Sequence, residues 1–418
     1  MMKYVMTFVT FSMILHGTIL AKVPNEITEE TCVLAAMDAQ MRQKPEIASA
    51  YYKHLYEKTE QKEYLYNSLR MYEGVKETAL FSKAVKEALA KDPEDKILLR
   101  FQLISLLKEG HYSEAYHEAF ILSRQTKESS DYLLSAEALL KLGNYQSGYN
   151  ELKKAYEITY DEETADRMSL IMYTQLGQKE EAIRFLKEHI GAHGNSKIIG
   201  KRLGSLYADS GALEDAVQMY EAAYEISNDP LIAQEAVKIY VYRQESQKLR
   251  ILLEKSEVND PLLLELYVRE KEFKKASVLA HKLFKRDGNP LYLAQSSVFE
   301  YEAATDHNDS GLLKKVIEGL KQANEQMEDP LYLNYLGYLM IDHDLGVDEG
   351  MKYVQKALDK HPDSPFYLDS LAWGKYKLGE CAEALRLIRQ VKSMIGTDEQ
   401  EVKEHLKAIE NCKTKEKK

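Results

Sequence analysis

The chain carries none of the short motifs that announce an active site. It has no G-x-S-x-G turn, no phosphate-cradling glycine loop, no zinc-protease signature and no compact set of Ser, His and Asp. A catalytic role is therefore disfavoured, and no cofactor or metal is expected. Cationic charge is also short: 56 Lys and Arg stand against 67 Asp and Glu, a net charge of −11 that becomes −12 without residues 1–21, which hold Lys3 and no acid. A chain of that sign suits phosphate backbones poorly, so nucleic acid is not an expected partner. Three cysteines allow one disulfide and leave one thiol over. No run beyond residue 21 is long and apolar enough to cross a membrane. Neither strand-like alternation nor a Gly/Pro-rich linker breaks up the rest.

What is present begins with a leader. Lys3, an apolar run from Tyr4 to Leu20 and the small residue Ala21 have the layout of a secretory signal peptide over 1–21, with cleavage expected after Ala21. The run is short for a span, and Thr, Ser, His16 and Gly17 interrupt it. Glu29, Glu30 and Thr31 precede Cys32 where a lipid-attachment motif needs a leucine and small residues, so a lipoprotein is not expected. The reading is an exported chain, periplasmic or associated with the outer membrane of a bacterial cell envelope, without a stable membrane span once the leader is gone.

The remainder is punctuated at a fixed interval. KEGHYSEAY, KLGNYQSGY, QLGQKEEAI and DSGALEDAV place Gly110 with Ala115, Gly143 with Gly148, Gly177 with Ala182 and Gly211 with Ala216. The glycines are 33, 34 and 34 residues apart, and a fifth pair, Gly379 with Ala384, lies 168 residues after Gly211, close to five further periods. A glycine can take the left-handed conformation that ends a helix, and a small residue five positions later lets the next helix fold back closely. Seven residues before each glycine stand Leu103, Ala136, Leu170, Gly204 and Ala372, expected on the same contact face. Pro93, Pro230, Pro261, Pro290, Pro330 and Pro362 are expected to open the following helices, because proline suits a first turn.

This punctuation resembles the tetratricopeptide repeat, a 34-residue helix-turn-helix with small residues at its eighth and twentieth positions and a proline near its end. LNYLGYLMIDHDLGVDEGMKYVQKALDKHPD, with an extra turn residue near Gly346, and YLDSLAWGKYKLGECAEALRLIRQV are the clearest copies. Between Tyr240 and His307 the turns fall near Arg243, Lys271 and His307 without glycine, and Lys44-Pro45 and Gly74 read as two earlier turns. The resemblance implies an all-α fold, a right-handed α-solenoid of about eleven stacked hairpins over 22–395, clearest at 94–228 and 330–395. A cap helix over 396–412 and a basic tail at 413–418 follow; Thr397 and Gln400 are spaced as a capping box, with Val402, Leu406 and Ile409 on one helix face.

Helix 381–395 and a cap helix at 398–412 run antiparallel in this reading and bring Cys381 beside Cys412, a candidate disulfide whose loop closure is worth about 3.5 kcal/mol. Cys32 reads as a small apolar filler. His189 and His193 have ligand spacing, but Gly191 lies between them and no helical Glu accompanies them, so a helix end followed by a loop is expected rather than a metal. Asp342, His343 and Asp344 read as a solvated turn. Among the 29 tyrosines, Tyr173, Tyr207 and Tyr220 fall at core positions of the repeat.

A second aromatic set falls on the face that lines the concave groove in the tetratricopeptide family: Tyr335, Tyr338, Phe366, Trp373 and Tyr376, with Asn334 and Asp369. The family's carboxylate clamp uses Lys and Asn at groove positions, where this chain has Asn334 with Tyr338 and Asp369 with Trp373, which argues against capture of a free C-terminal carboxylate. The resemblance thus implies a non-catalytic scaffold that binds a protein or peptide partner. A glycan on the aromatic groove is the alternative, and other small-molecule ligands are disfavoured.

Overall fold

The computed structural model describes residues 23, 27–73, 78–396 and 399–412. The leader of residues 1–21, the Gly74 turn, Thr397 and the basic tail lie outside them. The described residues form 23 α-helices and no strand, and the chain divides after Ser227 into two compact units.

The first unit is six consecutive helix pairs: α1 (Glu29–Met41) with α2 (Pro45–Thr59), α3 (Lys62–Glu73) with α4 (Thr78–Leu89), α5 (Lys96–Glu109) with α6 (Tyr112–Thr126), α7 (Ser129–Lys141) with α8 (Tyr145–Thr159), α9 (Glu162–Thr174) with α10 (Lys179–His193), and α11 (Lys197–Asp209) with α12 (Leu213–Ser227). The second is five pairs and a last single helix: α13 (Pro230–Arg243) with α14 (Ser246–Ser256), α15 (Asp260–Arg269) with α16 (Phe273–Asp287), α17 (Pro290–Glu302) with α18 (Ser310–Met327), α19 (Pro330–Asp342) with α20 (Val347–Lys360), α21 (Pro365–Lys377) with α22 (Cys381–Ile395), then α23 (Gln400–Glu410). Each pair is a hairpin whose apolar faces meet those of its neighbours. In the first unit Ala136, Leu152, Met168, Leu186, Ile199 and Leu203 form one such buried layer. In the second, Ile341, Val354, Leu368 and Ile388 are joined by Val402, Leu406 and Ile409 of α23.

The turns follow from backbone sterics. Gly110, Gly143, Gly177, Gly211 and Gly379 sit between φ +69° and +82°, where a side chain is strained. Where glycine is lacking, Gln43, Gln244, Lys271 and Asp344 take the left-handed conformation instead. The turn expected near Arg243 is thus one residue later, and His307 lies in the longer connection between α17 and α18. Pro230, Pro290, Pro330 and Pro365 occupy the first helical position and Pro261 the second. Pro93 and Pro362 open no helix: both lie in the preceding turn, where Asp95 caps α5 through its side chain and Ser364 precedes Pro365.

The small-residue contact is as expected at four of five sites. Leu103, Ala136 and Ala372 are buried, and a Cβ on Gly204 would stand 2.9 Å from the Tyr220 ring. Leu170 is the exception, 37% exposed, with Ser169 buried in its place. Four residues separate α9 from α10 against three between α7 and α8, so the inward position slips by one. The tightest backbone approach is in the α19–α20 hairpin, where a Cβ on Gly337 would lie 2.5 Å from the Gly350 carbonyl and one on Gly350 would lie 2.7 Å from that of Gly337.

Two glycine substitutions should therefore move stability in opposite directions. Gly337→Ala forces the hairpin apart and is expected to cost about 1–3 kcal/mol, whereas Gly191→Ala, in helical backbone with nothing within 4 Å of the new Cβ, should gain about 0.5–1 kcal/mol. Urea midpoints of the two variants check this; equal shifts would contradict the close-approach account.

Candidate interaction surface

The first helices of successive hairpins are tied by rungs in which a carboxylate on one helix accepts a hydrogen bond from the next. In the first unit three of the donors are guanidinium groups, beside the phenols of Tyr64 on α3 and Tyr173 on α9, which donate to Glu29 of α1 and Asp209 of α11 (2.8 and 2.6 Å). Arg100 of α5 donates through Nε to Asp131 of α7 (2.6 Å), Arg167 of α9 pairs with Glu137 of α7, and Arg202 of α11 grips both oxygens of Asp166 on α9. Such pairs fix geometry and cancel charge together.

In the second unit the donors are mostly neutral. The Tyr335 hydroxyl donates to Glu302 (2.8 Å), Trp373 Nε1 donates to Asp342 (2.9 Å), and the Tyr338 phenol lies within the field of Glu401 on α23. Burial, then Glu302, holds the Tyr335 phenol far above its ordinary range. Burial, then Glu401, does the same for Tyr338. Both remain protonated donors at any physiological pH. Tyr301 meets His343 Nε2 at 2.9 Å, and Lys377 reaches the Asp342 carbonyl and the Asp344 carboxylate (2.8 and 3.0 Å). Asp342, His343 and Asp344 are therefore not a merely solvated turn, because each holds a side chain of a neighbouring first helix.

The last rung explains α23. His405 Nδ1 lies 2.9 Å from Asp369 Oδ2, both buried. His405 is the sixth residue of α23 and Asp369 the fifth of α21, and Arg202 and Asp166 stand at the same two places on α11 and α9, with a separation of 36 residues in each case. The helix after the last hairpin thus takes the place that a further first helix would take. Its His405 ring also stacks on Trp373 at 4.2 Å and 14°.

The seven residues singled out in the sequence all lie on α19 and α21, but not on one open face. Asp369 is 5% exposed and committed to His405; Trp373 is stacked on His405 and, at 4.8 Å, on Tyr376. These two lie at the seam where α23 packs on α21, with the Asp369 Oδ1 left unpartnered. Asn334, Tyr335, Tyr338 and Tyr376 are half-buried, and Phe366 is 57% exposed. Leu331, also 57% exposed, holds the second position of α19 as Phe366 does in α21. Leu331, Glu302 and Glu401 escape a sequence reading of this surface. The only signal for Leu331 is the recurrence of Leu or Phe after the opening proline, in DPL, NPL and SPF.

Cys381 and Cys412 are brought together, Cα–Cα 5.6 Å, and bonded, and Cys32 is a buried free thiol on α1. His189 and His193 both lie within α10, which continues through Gly191 to His193, so no loop follows His189. His189 is buried against the Tyr156 hydroxyl (2.6 Å), and no group of metal-binding side chains occurs among the described residues. Among those residues no helix is long and apolar enough to cross a membrane.

Against known proteins, no family model matches. A TPR repeat-containing protein of Pseudomonas aeruginosa is 30% identical over 137 residues, 25% of this chain and 23% of that protein. Over that stretch the chain is similar to a tetratricopeptide-repeat protein. It spans less than a quarter of that curated relative's length. Among solved structures, a tetratricopeptide repeat protein from Parabacteroides merdae is similar at 16% identity and TM-score 0.39, covering 57% of this chain and 96% of that one. A thermophilic TPR protein of Thermus thermophilus gives 17% and 0.32 over 51% of this chain and all of that one. The Cut9–Hcn1 hetero-tetramer of the APC/C gives 10% and 0.36 over 92% and 96%.

The sulfur pair yields a direct prediction for these repeats. Non-reducing peptide mapping of the protein should recover Cys381 and Cys412 in one joined pair of peptides and Cys32 alkylated. Free alkylation of all three would contradict the pairing.

Proposed function

We propose that the chain is a non-catalytic scaffold of a bacterial cell envelope that holds a segment of a partner protein across the first helices of its last two hairpins. The observation that carries this reading is the pair Leu331 and Phe366, large apolar side chains both 57% exposed at the same repeat position on consecutive first helices. Flanking them are the half-buried Tyr335, Tyr338 and Tyr376, with polar tips that orient a partner. Repeat proteins characteristically present partners with such successive, in-register positions. The glycan alternative depends on open ring faces, and the one indole of the chain is stacked against His405 and Tyr376, so a protein segment is favoured. Export rests on the leader sequence of residues 1–21.

A photo-crosslinking residue placed at Phe366 or Leu331 should join the envelope-borne protein, itself lacking Met1 to Ala21 by intact mass, to a discrete partner. The same residue at Val278, exposed on α16, should not. Leu331→Ser with Phe366→Ser should abolish the adduct formed from a probe at Tyr376 and leave the melting temperature within about 2 °C, since exposed positions contribute little to stability. An undiminished adduct in that variant would overturn the assignment of the surface.

A further inference from the structure

The structure assigns this surface a partner of particular chemistry: a segment that brings arginine side chains, set among apolar residues, to the carboxylates of α17, α19 and α23. The inference rests on the protein-binding reading above and adds the partner's charge.

The argument starts from what each rung leaves behind. A phenol or indole N–H orients a carboxylate without neutralising it, whereas a guanidinium does both. In the first unit Asp131, Glu137 and Asp166 each face an arginine, and Asp209, held by the Tyr173 phenol, also has Lys179 at 3.6 Å; Glu29 is held by the Tyr64 phenol. In the second, Glu302 is held by Tyr335 and Asp342 by Trp373, and Glu401 of α23 acts electrostatically on the Tyr338 phenol. Among the described residues, none of these three carboxylates has a side-chain cation within ion-pair distance. Lys377 nearby is spent on Asp344 and on a backbone carbonyl. Glu302 and Asp342 are thus pinned by neutral donors on neighbouring first helices, with the like charge of Glu401 beside Tyr338, an arrangement that is unfavourable in isolation and relieved by an incoming cation.

A second, independent observation concerns acceptors. Asp369, 5% exposed, uses Oδ2 on His405 and leaves the buried Oδ1 without a donor. Its charge acts on the Tyr338 phenol, which places it against the same cluster. The side-chain oxygen of Asn334, at the same repeat position one hairpin earlier, is also buried and without a donor. Buried acceptors of this kind ordinarily find a partner. A guanidinium supplies five N–H donors in a planar fork, sheds water more readily than an ammonium and lies well against tyrosine rings. Tyr301, Tyr335 and Tyr338 offer such rings on α17 and α19, with Tyr301 and Tyr335 edge to face at 6.3 Å. Leu331 and Phe366 then receive the apolar residues of the same segment.

The test uses the full mature chain and two pools of fluorescent 12-residue peptides, identical in their Leu and Phe positions and differing only in carrying arginine or glutamate elsewhere. The arginine pool should bind and the glutamate pool should not, with affinity falling as salt is raised. Glu302→Gln with Glu401→Gln keeps an acceptor for Tyr335 and removes two charges. This variant should weaken the arginine pool about tenfold with melting unmoved. Glu180→Gln with Glu181→Gln, an equal change of net charge on the exposed start of α10, should leave binding as it was. Equal binding of the two pools, or an equal loss in both variants, would overturn the inference. Crosslinking at Phe366 would survive that outcome, so the two readings fail separately.

Discussion

The constraint on which the rest depends is the contact between one first helix and the next, closed by a carboxylate. A single helical hairpin cannot bury both its faces, and it is stable only when its neighbours cover it. Apolar layers supply most of that stability but are tolerant of sliding by a turn. A directional polar rung is not. Asp166 with Arg202, Glu302 with Tyr335, Asp342 with Trp373 and Asp369 with His405 each permit one register between the helices they join.

The choice of donor then separates structure from function. Where the donor is arginine, the rung is self-contained and its surface is electrically quiet. Where the donor is tyrosine or tryptophan, the helices are held equally well and the negative charge is left facing outward. The second unit uses this option at two successive contacts, α17 with α19 and α19 with α21, beside its most exposed pair of large apolar side chains on first helices of adjacent hairpins. Helix α23 belongs to the same scheme. It takes a first helix's place, covers Trp373 and Asp369, and adds Glu401 to the row, so that the closing of the array and the making of its surface are one event.

Much of the fold was legible because it depends on local sterics. Gly110, Gly143, Gly177, Gly211 and Gly379 all adopt the left-handed turn that their spacing implied, and the antiparallel register of α22 and α23 placed Cys381 by Cys412. Reading failed where a one-residue insertion slipped the phase, at Leu170, and where a proline served the turn rather than the helix, at Pro93 and Pro362. The surface was only half legible. Repeat phase located Tyr335, Tyr338 and Phe366, but could not show that α23 folds over Trp373 and Asp369. Nor could it show that the decisive carboxylates, Glu302 and Glu401, come from helices before and after the clearest repeats. Those are tertiary facts, set by which helix lies beside which.

The rung as the unit of register is most directly tested by a double-mutant cycle on Asp369 and His405, read from urea unfolding. If His405 holds α23 as a further first helix, Asp369→Ala and His405→Ala should each destabilise the second unit and the double variant should cost less than their sum, with a coupling of about 2 kcal/mol. Hydrogen exchange along α23 should quicken in both single variants to the same degree. Strict additivity, with exchange in α23 unchanged, would show that the apolar contacts alone hold the helix and that the rung does not set the register.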